Sequence, residues 1–457
     1  MPPKTIPLYS LFHKIFTEPD VNALRGQLTK AGLGSVLIRV GNLTLGLGLA
    51  ILLARVLGPE QYGIYTFVIA LVSMVVIPAQ FGLPRLVVRE TAKTQVLEKW
   101  GLMRGLWRWT AMVGGALSLM FVCIGLGTLW LLAEKIPKTH YLPLFFGVAL
   151  IPLITFNSLI GAALQGLRKV VLGQAPEQIL RPALLILLIP FAIWWMGGGT
   201  VEPVIIVILH IAAASLALLI GLLLFNYKRP FQIKTLPAPQ YEIRLWSKAM
   251  LPLALVAGMQ QINKYTDIIM LEYFKSATEV GLYRISVQGA LLTSFGLQVI
   301  GMFISPYFAR LYEQGDLRRL QKLATASARA ALIMALPLFT IVIVWGDELI
   351  RIMFGEQYVN SYPALAILAG GQLAHSFFGY VGIILNMCGF QKSVAIYVSI
   401  TAGVNILLNA TLIPQLGMEG AAMATTVTLF LFNLLLWREA FRRIGISTTA
   451  LGLHANN

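Results

Sequence analysis

Residues 53–65 read LARVLGPEQYGIY, and the fold can be inferred from this stretch. It ends one long apolar run with a Gly-Pro turn and begins the next, as expected where one membrane-spanning helix follows another. Residues 276–283 read SATEVGLY and stand in the same place between two later apolar runs. The Gly-x-Tyr triplets Gly63–Tyr65 and Gly281–Tyr283 lie 218 residues apart. Either the two halves are parallel repeats, or a turn glycine and an interfacial tyrosine recur by chance.

The composition of the chain predicts a membrane protein. Its 457 residues are 57% hydrophobic and only 12% charged, and the mean hydropathy is +0.77. A soluble domain carries roughly twice that share of charged residues. We therefore predict an all-α membrane protein of about 12 transmembrane helices, arranged as two parallel six-helix lobes around a central cleft. The twelve predicted spans are 31–57, 62–84, 108–132, 141–163, 172–196, 203–226, 247–271, 278–306, 324–345, 361–386, 391–413 and 417–437.

The distribution of basic residues predicts the orientation of these spans. A net charge of +16 could indicate nucleic-acid binding, but the basic residues lie in short loops between apolar runs, which favours a topological explanation and no nucleic acid. With a cytoplasmic N-terminus, the outer loops hold only Arg55, Lys135, Lys138, Lys275 and Arg351. Both termini are therefore predicted to be cytoplasmic. The predicted domains are a cytoplasmic N-terminal segment 1–30, an N-lobe 31–226, a cytoplasmic linker 227–246, a C-lobe 247–437 and a cytoplasmic tail 438–457.

Charged residues inside the predicted spans indicate a polar interior. Four are basic, namely Arg39, Arg181, Lys264 and Arg284, and two are acidic, Glu177 and Asp267. A charge near the bilayer centre costs about 2.5 to 3.5 kcal/mol, so such residues usually face a cavity or a partner. Residues three or four positions apart share a helix face, which adds further candidates. The amides that extend these polar faces are Asn42, Gln178, Gln260 and Gln288.

Each of these charges also has a simpler explanation. Glu177 with Arg181 and Lys264 with Asp267 have the spacing of internal salt bridges. The long side chain of Arg284 could place its guanidinium at the outer interface. Buried amides could join neighbouring helices instead of binding a ligand. Arg39 lies deeper in its predicted helix and has no acid within one turn, so it is the strongest candidate for the cavity lining.

Several catalytic classes lack their motifs. The chain contains no Gly-x-x-x-x-Gly-Lys-Ser/Thr loop for ATP and no His-Glu-x-x-His motif for zinc. Its two cysteines, Cys123 and Cys388, lie in separate apolar stretches, so neither a disulfide framework nor a thiolate metal site is expected. We therefore predict a transporter with no cofactor and no metal. Protons, sodium or the membrane potential could drive it, with Asp267 and Glu177 as candidate ion-coupling residues.

The motifs resemble those of a known family. Residues 53–65 are similar to the opening of bacterial polysaccharide flippases of the multidrug/oligosaccharidyl-lipid/polysaccharide exporter superfamily. Further similar segments follow in the family's order over most of the chain: 81–83, 88–90, 267–271, 279–283 and 354–358. Each segment is weakly specific by itself. Together they indicate the superfamily more strongly than the substrate.

This resemblance implies a function. Such a flippase would move an undecaprenyl-pyrophosphate-linked oligosaccharide across the bacterial inner membrane by alternating access, for O-antigen, capsule or exopolysaccharide synthesis. Its partners would be that lipid, the bilayer, a polysaccharide polymerase and chain-length proteins. Arginine matches phosphate oxygens with a fork of donors. We expect Arg39 and Arg181 to capture the pyrophosphate, and Lys264 and Arg284 to receive it.

Two other functions stay open at this point. A multidrug exporter of the same superfamily would line its cleft with acids and aromatic residues for cationic drugs, whereas this chain has an excess of basic residues. A membrane-embedded glycan ligase or polymerase would need a large outer loop with catalytic residues. The longest predicted outer loop, near 133–140, is short.

Overall fold

The computed structural model describes residues 22–198, 201–235 and 238–452, and within these ranges the chain is helical without any strand. The helices are α1 (Asn22–Gln80), α2 (Leu83–Val96), α3 (Trp100–Leu131), α4 (Lys138–Gly147), α5 (Leu150–Gly166), α6 (Val170–Ala175), α7 (Arg181–Trp195), α8 (Pro203–Lys228), α9 (Phe231–Thr235), α10 (Ile243–Phe274), α11 (Ala277–Thr293), α12 (Phe295–Glu313), α13 (Leu317–Phe354), α14 (Tyr362–Phe378), α15 (Val381–Met387) and α16 (Gln391–Ile444). A π-helical turn, Pro176–Leu180, joins α6 to α7, and a 3₁₀ turn, Glu356–Ser361, precedes α14.

The helices agree with the predicted membrane architecture. Among the described residues, seven helical segments are long and apolar enough to cross a bilayer, and nine if each sharply bent pair counts as one span. Two of the seven, α1 and α16, each cover two predicted spans, because the chain kinks inside them at Gly58 and Gly417. The polar helix α10 carries the predicted span 247–271 and does not pass the same apolar criterion.

Glycine and proline explain where the helices break. Gly58 has φ +74° and precedes Pro59, and Gly417 has φ +59°; glycine adopts this left-handed region without the steric cost that other residues pay. Gly379, with φ +69°, separates α14 from α15, which are bent by 45°. Among the described residues, two spans that the sequence predicts as single helices are thus sharply bent, over residues 277–313 and 356–387.

The two repeats contact each other at the Gly-x-Tyr motif that they share. A Cβ atom added to Gly63 would lie 1.7 Å from the carbonyl oxygen of Ala277, and one added to Gly281 would lie 2.1 Å from that of Pro59. Each glycine thus contacts the residue four positions before the other glycine, which is the relation that a two-fold axis between the repeats produces. We call this contact the glycine crossing. The most extensive contact between the two halves runs along α1 and α11, which cross there.

The described parts of the predicted linker and tail pack against the helices. Within the predicted linker, Trp246 is fully buried and its ring lies 5.4 Å from that of Trp109 in α3. The predicted tail 438–457 begins inside α16, which continues to Ile444. Residues 445–450 then fold back into the second half, where Gln321 exchanges hydrogen bonds with the backbone of Ser447 at 2.6 and 2.7 Å. Of the predicted N-terminal segment 1–30, residues 1–21 lie outside the described ranges.

Candidate functional site

Three of the four predicted basic residues gather around tyrosines in the seam, by which we mean the surface along which the two halves face each other. Arg181 from α7 and Arg284 from α11 both lie within electrostatic range of Tyr65 in α1. Lys264 and Arg284 likewise both lie within electrostatic range of Tyr265 in α10. The three cations come from both halves, so the seam combines one cation from the first half with two from the second.

The tyrosines hold fixed positions beside these cations. The Tyr65 hydroxyl and His210 Nδ1 are 3.0 Å apart, and both groups are buried. Arg284 lies beside the hydroxyl of Tyr62, one turn before Tyr65. The Lys264 ammonium lies 4.9 Å from the centre of the Tyr265 ring. Aromatic faces attract cations without neutralising them, so the charges stay available to an anionic ligand.

The simpler explanations for these charges are not realised. Among the ion pairs of the described residues, none involves Arg39, Arg181, Lys264 or Arg284. Glu177 lies in the π-helical turn just before Arg181, where the backbone hydrogen bonds run between residues i and i+5. Arg284 is half-buried beside Tyr62 instead of reaching the end of its helix.

Arg39 lies nearer the N-terminal end of α1 than Tyr65 does, and its side chain contacts the second half across the seam. Its guanidinium donates to Gln298 Oε1 of α12 at 3.4 Å, and its side chain is exposed. Gln288 faces the same helix, since its Nε2 lies 3.5 Å from where a Cβ of Gly46 would be. Asn42 is exposed and Gln178 is half-buried, and neither has a side-chain partner among the described residues. The interior amides Asn157 and Asn409 bond to neighbours within their own halves.

Asp267 is the buried acid of the site. Its side chain is 5% exposed, and one carboxylate oxygen accepts a very short hydrogen bond from the Tyr283 hydroxyl at 2.5 Å. Thr425 of α16 donates to the same oxygen at 3.4 Å, and the backbone N–H of Ile268 donates to the other oxygen at 3.0 Å. Asp267 is therefore held by hydroxyls instead of by the predicted alternative partner Lys264, which is exposed.

The halves are joined at both ends of the seam. At the end that holds the glycine crossing, His140 Nε2 lies 2.9 Å from Glu272 Oε1, and Arg55 Nε donates to the carbonyl of Met353 at 2.9 Å. At the opposite end, Arg85 donates to Gln260 Oε1 at 2.9 Å. We call this opposite end the basic end, because the positively charged segments 83–99, 167–169, 228–235 and 238–248 lie there.

Sequence reasoning missed Arg85 and the tyrosines. Arg85 was assigned to a loop because it follows the predicted second span. In the structure Phe81 and Gly82 both have positive φ and start α2 close to α10, where a Cβ on Gly82 would lie 2.7 Å from the nitrogen of Ala254. Burial lowers the pKa of the Arg85 guanidinium, although it stays far above neutral pH. The signal for Tyr65 and Tyr283 is present in the Gly-x-Tyr repeat, which predicts equivalent positions for them but no partners.

Comparisons with known proteins agree on one superfamily. The family described as "Polysaccharide biosynthesis protein" matches residues 30–312, and the family described as "MatE" matches residues 252–411. Similar curated proteins are a probable low-salt glycan biosynthesis flippase of Haloferax volcanii, 24% identical over 36% of this chain and 35% of that protein, and a probable lipid II flippase of Rhizobium meliloti, 26% identical over 42% of this chain and 38% of that protein. The matches span little more than a third of these relatives' lengths.

Solved structures share the fold at low sequence identity. An inward-facing multidrug resistance MATE transporter of the MOP superfamily aligns with 90% of this chain and 98% of its own, at 14% identity and a TM-score of 0.71. The lipid II flippase MurJ in an inward closed conformation aligns with 89% of this chain and 87% of its own, at 13% identity and a TM-score of 0.67. These similarities establish the two-lobe fold.

Proposed function

Because the chain belongs to the polysaccharide biosynthesis protein family, we propose that it is a flippase for a lipid-linked oligosaccharide. The observation that carries this proposal is the group of Arg181, Lys264 and Arg284 in the seam, none of them neutralised by a carboxylate within the described residues. A lipid pyrophosphate is the anionic part of such a substrate. Guanidinium groups bind phosphate oxygens through charge-assisted hydrogen bonds, which are about twice as strong as neutral ones.

The arrangement of the cations suggests a route. We place the substrate's pyrophosphate first at Arg39 and Arg181, and then at Lys264 and Arg284. Arg181 and Arg284 share Tyr65 as a neighbour, so a diphosphate between them would be within reach of both halves. Relative movement of the halves could then transfer it without an uncompensated charge in the bilayer.

The glycan and the lipid tail would take different paths. Asn42, Gln178, Gln260 and Gln288 supply amide donors and acceptors along the seam for the sugar hydroxyls. The prenyl tail would stay in the bilayer. In this proposal the carrier is undecaprenyl pyrophosphate in a bacterial inner membrane, both termini are cytoplasmic, and a polymerase with its chain-length proteins uses the product.

The experiment measures transfer of a fluorescent polyprenyl-pyrophosphoryl oligosaccharide across proteoliposome membranes, using an impermeant quencher. Each of Arg181→Gln and Arg284→Gln should lower the rate by about tenfold or more, because each removes a charge-assisted bond to the diphosphate. Arg318→Gln is the matched control, since Arg318 is exposed at the basic end of α13, outside the seam. Wild-type rates in both seam variants at equal protein levels would refute the proposal.

A multidrug exporter is the second candidate, because the fold is shared with such a transporter and Asp267 offers an acid in the second half. Expression in a drug-sensitive strain distinguishes the two. Resistance that depends on Asp267, together with unchanged glycan transfer in the arginine variants, would favour the exporter.

A further inference from the structure

A cavity of about 480 Å³ lies in the first half, outside the seam. It is formed at the basic end by the start of α3, the end of α8 and the short helix α9. Its volume falls within the usual range for small-molecule sites. The lining residues are Arg104, Trp107, Arg108, Ala111, Phe225, Arg229 and Ile233.

The charge of the cavity lining favours an anionic ligand. Three of the lining residues are arginines, and none is acidic. The Nε of Arg229 is buried and has no hydrogen-bond partner among the described residues. A buried guanidinium donor without an acceptor is rare and costly in a folded protein, so an acceptor supplied by a ligand accounts for it.

The remaining wall is apolar and fixed. Trp107 and Phe225 pack edge to face with their ring centres 4.8 Å apart. The indole nitrogen of Trp107 also donates to Thr91 Oγ1 at 2.9 Å, which holds the ring against α2. The cavity thus presents guanidinium donors beside a preformed aromatic surface, a combination suited to a ligand with an anionic group attached to apolar carbon.

The surroundings place the cavity at the level where a membrane helix leaves the bilayer. The apolar helix α8 ends at Lys228, and the exposed aromatic residues Tyr227 and Phe231 lie on either side of the following turn. In α9, Phe231 is exposed whereas Ile233 is buried against the cavity. Aromatic residues of this kind are enriched at the membrane interface, where basic residues attract anionic lipids.

We propose that this cavity binds the phosphate headgroup of an anionic membrane lipid. The phosphate oxygens accept hydrogen bonds from Arg108 and Arg229, and Trp107 and Phe225 contact the glycerol and the first methylene groups. A lipid bound there connects α3 and α8 to the segment that leads into the second half. Since the cavity lies outside the seam, this lipid is a bound component of the protein and not the transported substrate.

The test measures lipid binding to the purified full chain in detergent by native mass spectrometry, with phosphatidylglycerol, phosphatidylcholine and inorganic phosphate as probes. We expect phosphatidylglycerol to bind more tightly than phosphatidylcholine, and inorganic phosphate not to compete at matched concentration. Arg229→Gln and Arg108→Gln should each weaken phosphatidylglycerol binding by about tenfold. Arg318→Gln, at the basic end of the other half, should leave it unchanged.

Three outcomes would overturn the proposal. Equal losses in Arg318→Gln would show non-specific attraction to a basic surface. Competition by inorganic phosphate at matched concentration would make the ligand a soluble phosphate. Unchanged binding in Arg108→Gln, whose side chain is exposed and whose folding is therefore safe, would remove the cavity from lipid binding. Lipid binding does not require transport, so these results are independent of the flippase assay.

Discussion

The two repeat tyrosines occupy equivalent places in the two halves but have different partners. Tyr65 pairs with His210 of α8, near the cations Arg181 and Arg284. Tyr283 donates to Asp267 of α10 and lies 3.5 Å from Thr425 of the last helix. The repeat therefore conserves a tyrosine that reaches the last span of its own half, and changes the charge beside it.

An asymmetry also appears in three side-chain contacts between the halves. In the pairs Arg39–Gln298, Arg85–Gln260 and His140–Glu272, the basic or imidazole side chain belongs to the first half and the acceptor belongs to the second. A symmetric backbone thus carries unlike charges. In the proposed flippase, both halves contribute cations to anion binding, and the second half also holds Asp267, the buried acid that could couple transport to an ion.

The largest effect should come from the glycine crossing, to which each half contributes one glycine. Gly63→Ala and Gly281→Ala each place a methyl group within 1.7 to 2.1 Å of a carbonyl oxygen of the other half. Backbone cannot rotate away as a side chain can, so we expect each variant to lose more than about 3 kcal/mol of stability. Thermal unfolding in detergent measures this loss.

The control for the glycine crossing is Gly127→Ala in α3. A Cβ atom there meets no atom within 4 Å, so its stability should match or slightly exceed that of the wild type. Similar losses in both crossing variants support an equivalent role for the two repeats. If one of the two glycines tolerates alanine and the other does not, the symmetric description is wrong.

The second-largest effect should distinguish the functions of the two halves. Asp267→Asn keeps the size of the side chain but removes the only charge held by Tyr283 and Thr425 in this cluster. We expect stimulation of transport by an imposed proton or sodium gradient to fall about fivefold or more, the usual scale of coupling between sites. Gradient-driven transfer in proteoliposomes measures it.

His210→Gln is the matched change in the first half, because His210 is the partner of the equivalent tyrosine. It should lower stability, since the substitution disturbs a buried hydrogen bond, but leave the response to the gradient intact. A lost gradient response in His210→Gln, with a normal response in Asp267→Asn, would reverse the assignment of the two halves.

The repeat, the helical class and most span positions could be predicted from sequence because they depend on apolar length and glycine turns, which are local properties. Gly63 and Gly281 were recognised as repeated, but their mutual contact was not, since sequence does not give the axis between two halves. The π-helical turn Pro176–Leu180 was also missed. The spacing of Glu177 and Arg181 suggested an ion pair, and the ion pairs of the described residues do not include it.

The sequence singles out the charged residues of the candidate site but not the tyrosines beside them. Arg181, Lys264 and Arg284 were found because a charge in an apolar run is costly and therefore visible. Tyr65 and Tyr265 carry no such signal, since a tyrosine in a membrane helix is common near the interface. Their role depends on which helices face each other, and that is decided by packing across the seam.

The smallest effect tests the contacts at the basic end. Arg85→Gln removes a 2.9 Å charge-assisted hydrogen bond to Gln260, whereas Arg39→Gln removes a longer one of 3.4 Å to Gln298. Because the strength of a hydrogen bond falls with distance, Arg85→Gln should shift the balance between open and closed basic ends by about threefold, and Arg39→Gln by less. Distances between spin labels at the exposed positions 97 and 317, one in each half, report that balance.

Gln260→Leu extends this test from the other side of the seam. If Arg85 and Gln260 act only through each other, the double variant should shift the balance no more than Arg85→Gln does, because the contact is already lost. An additive shift would mean that Arg85 has a second partner in the closed state. In that case the basic end would be held by the charge of the first half in general, and the pairing of a cation from one half with an acceptor from the other would not explain its closure.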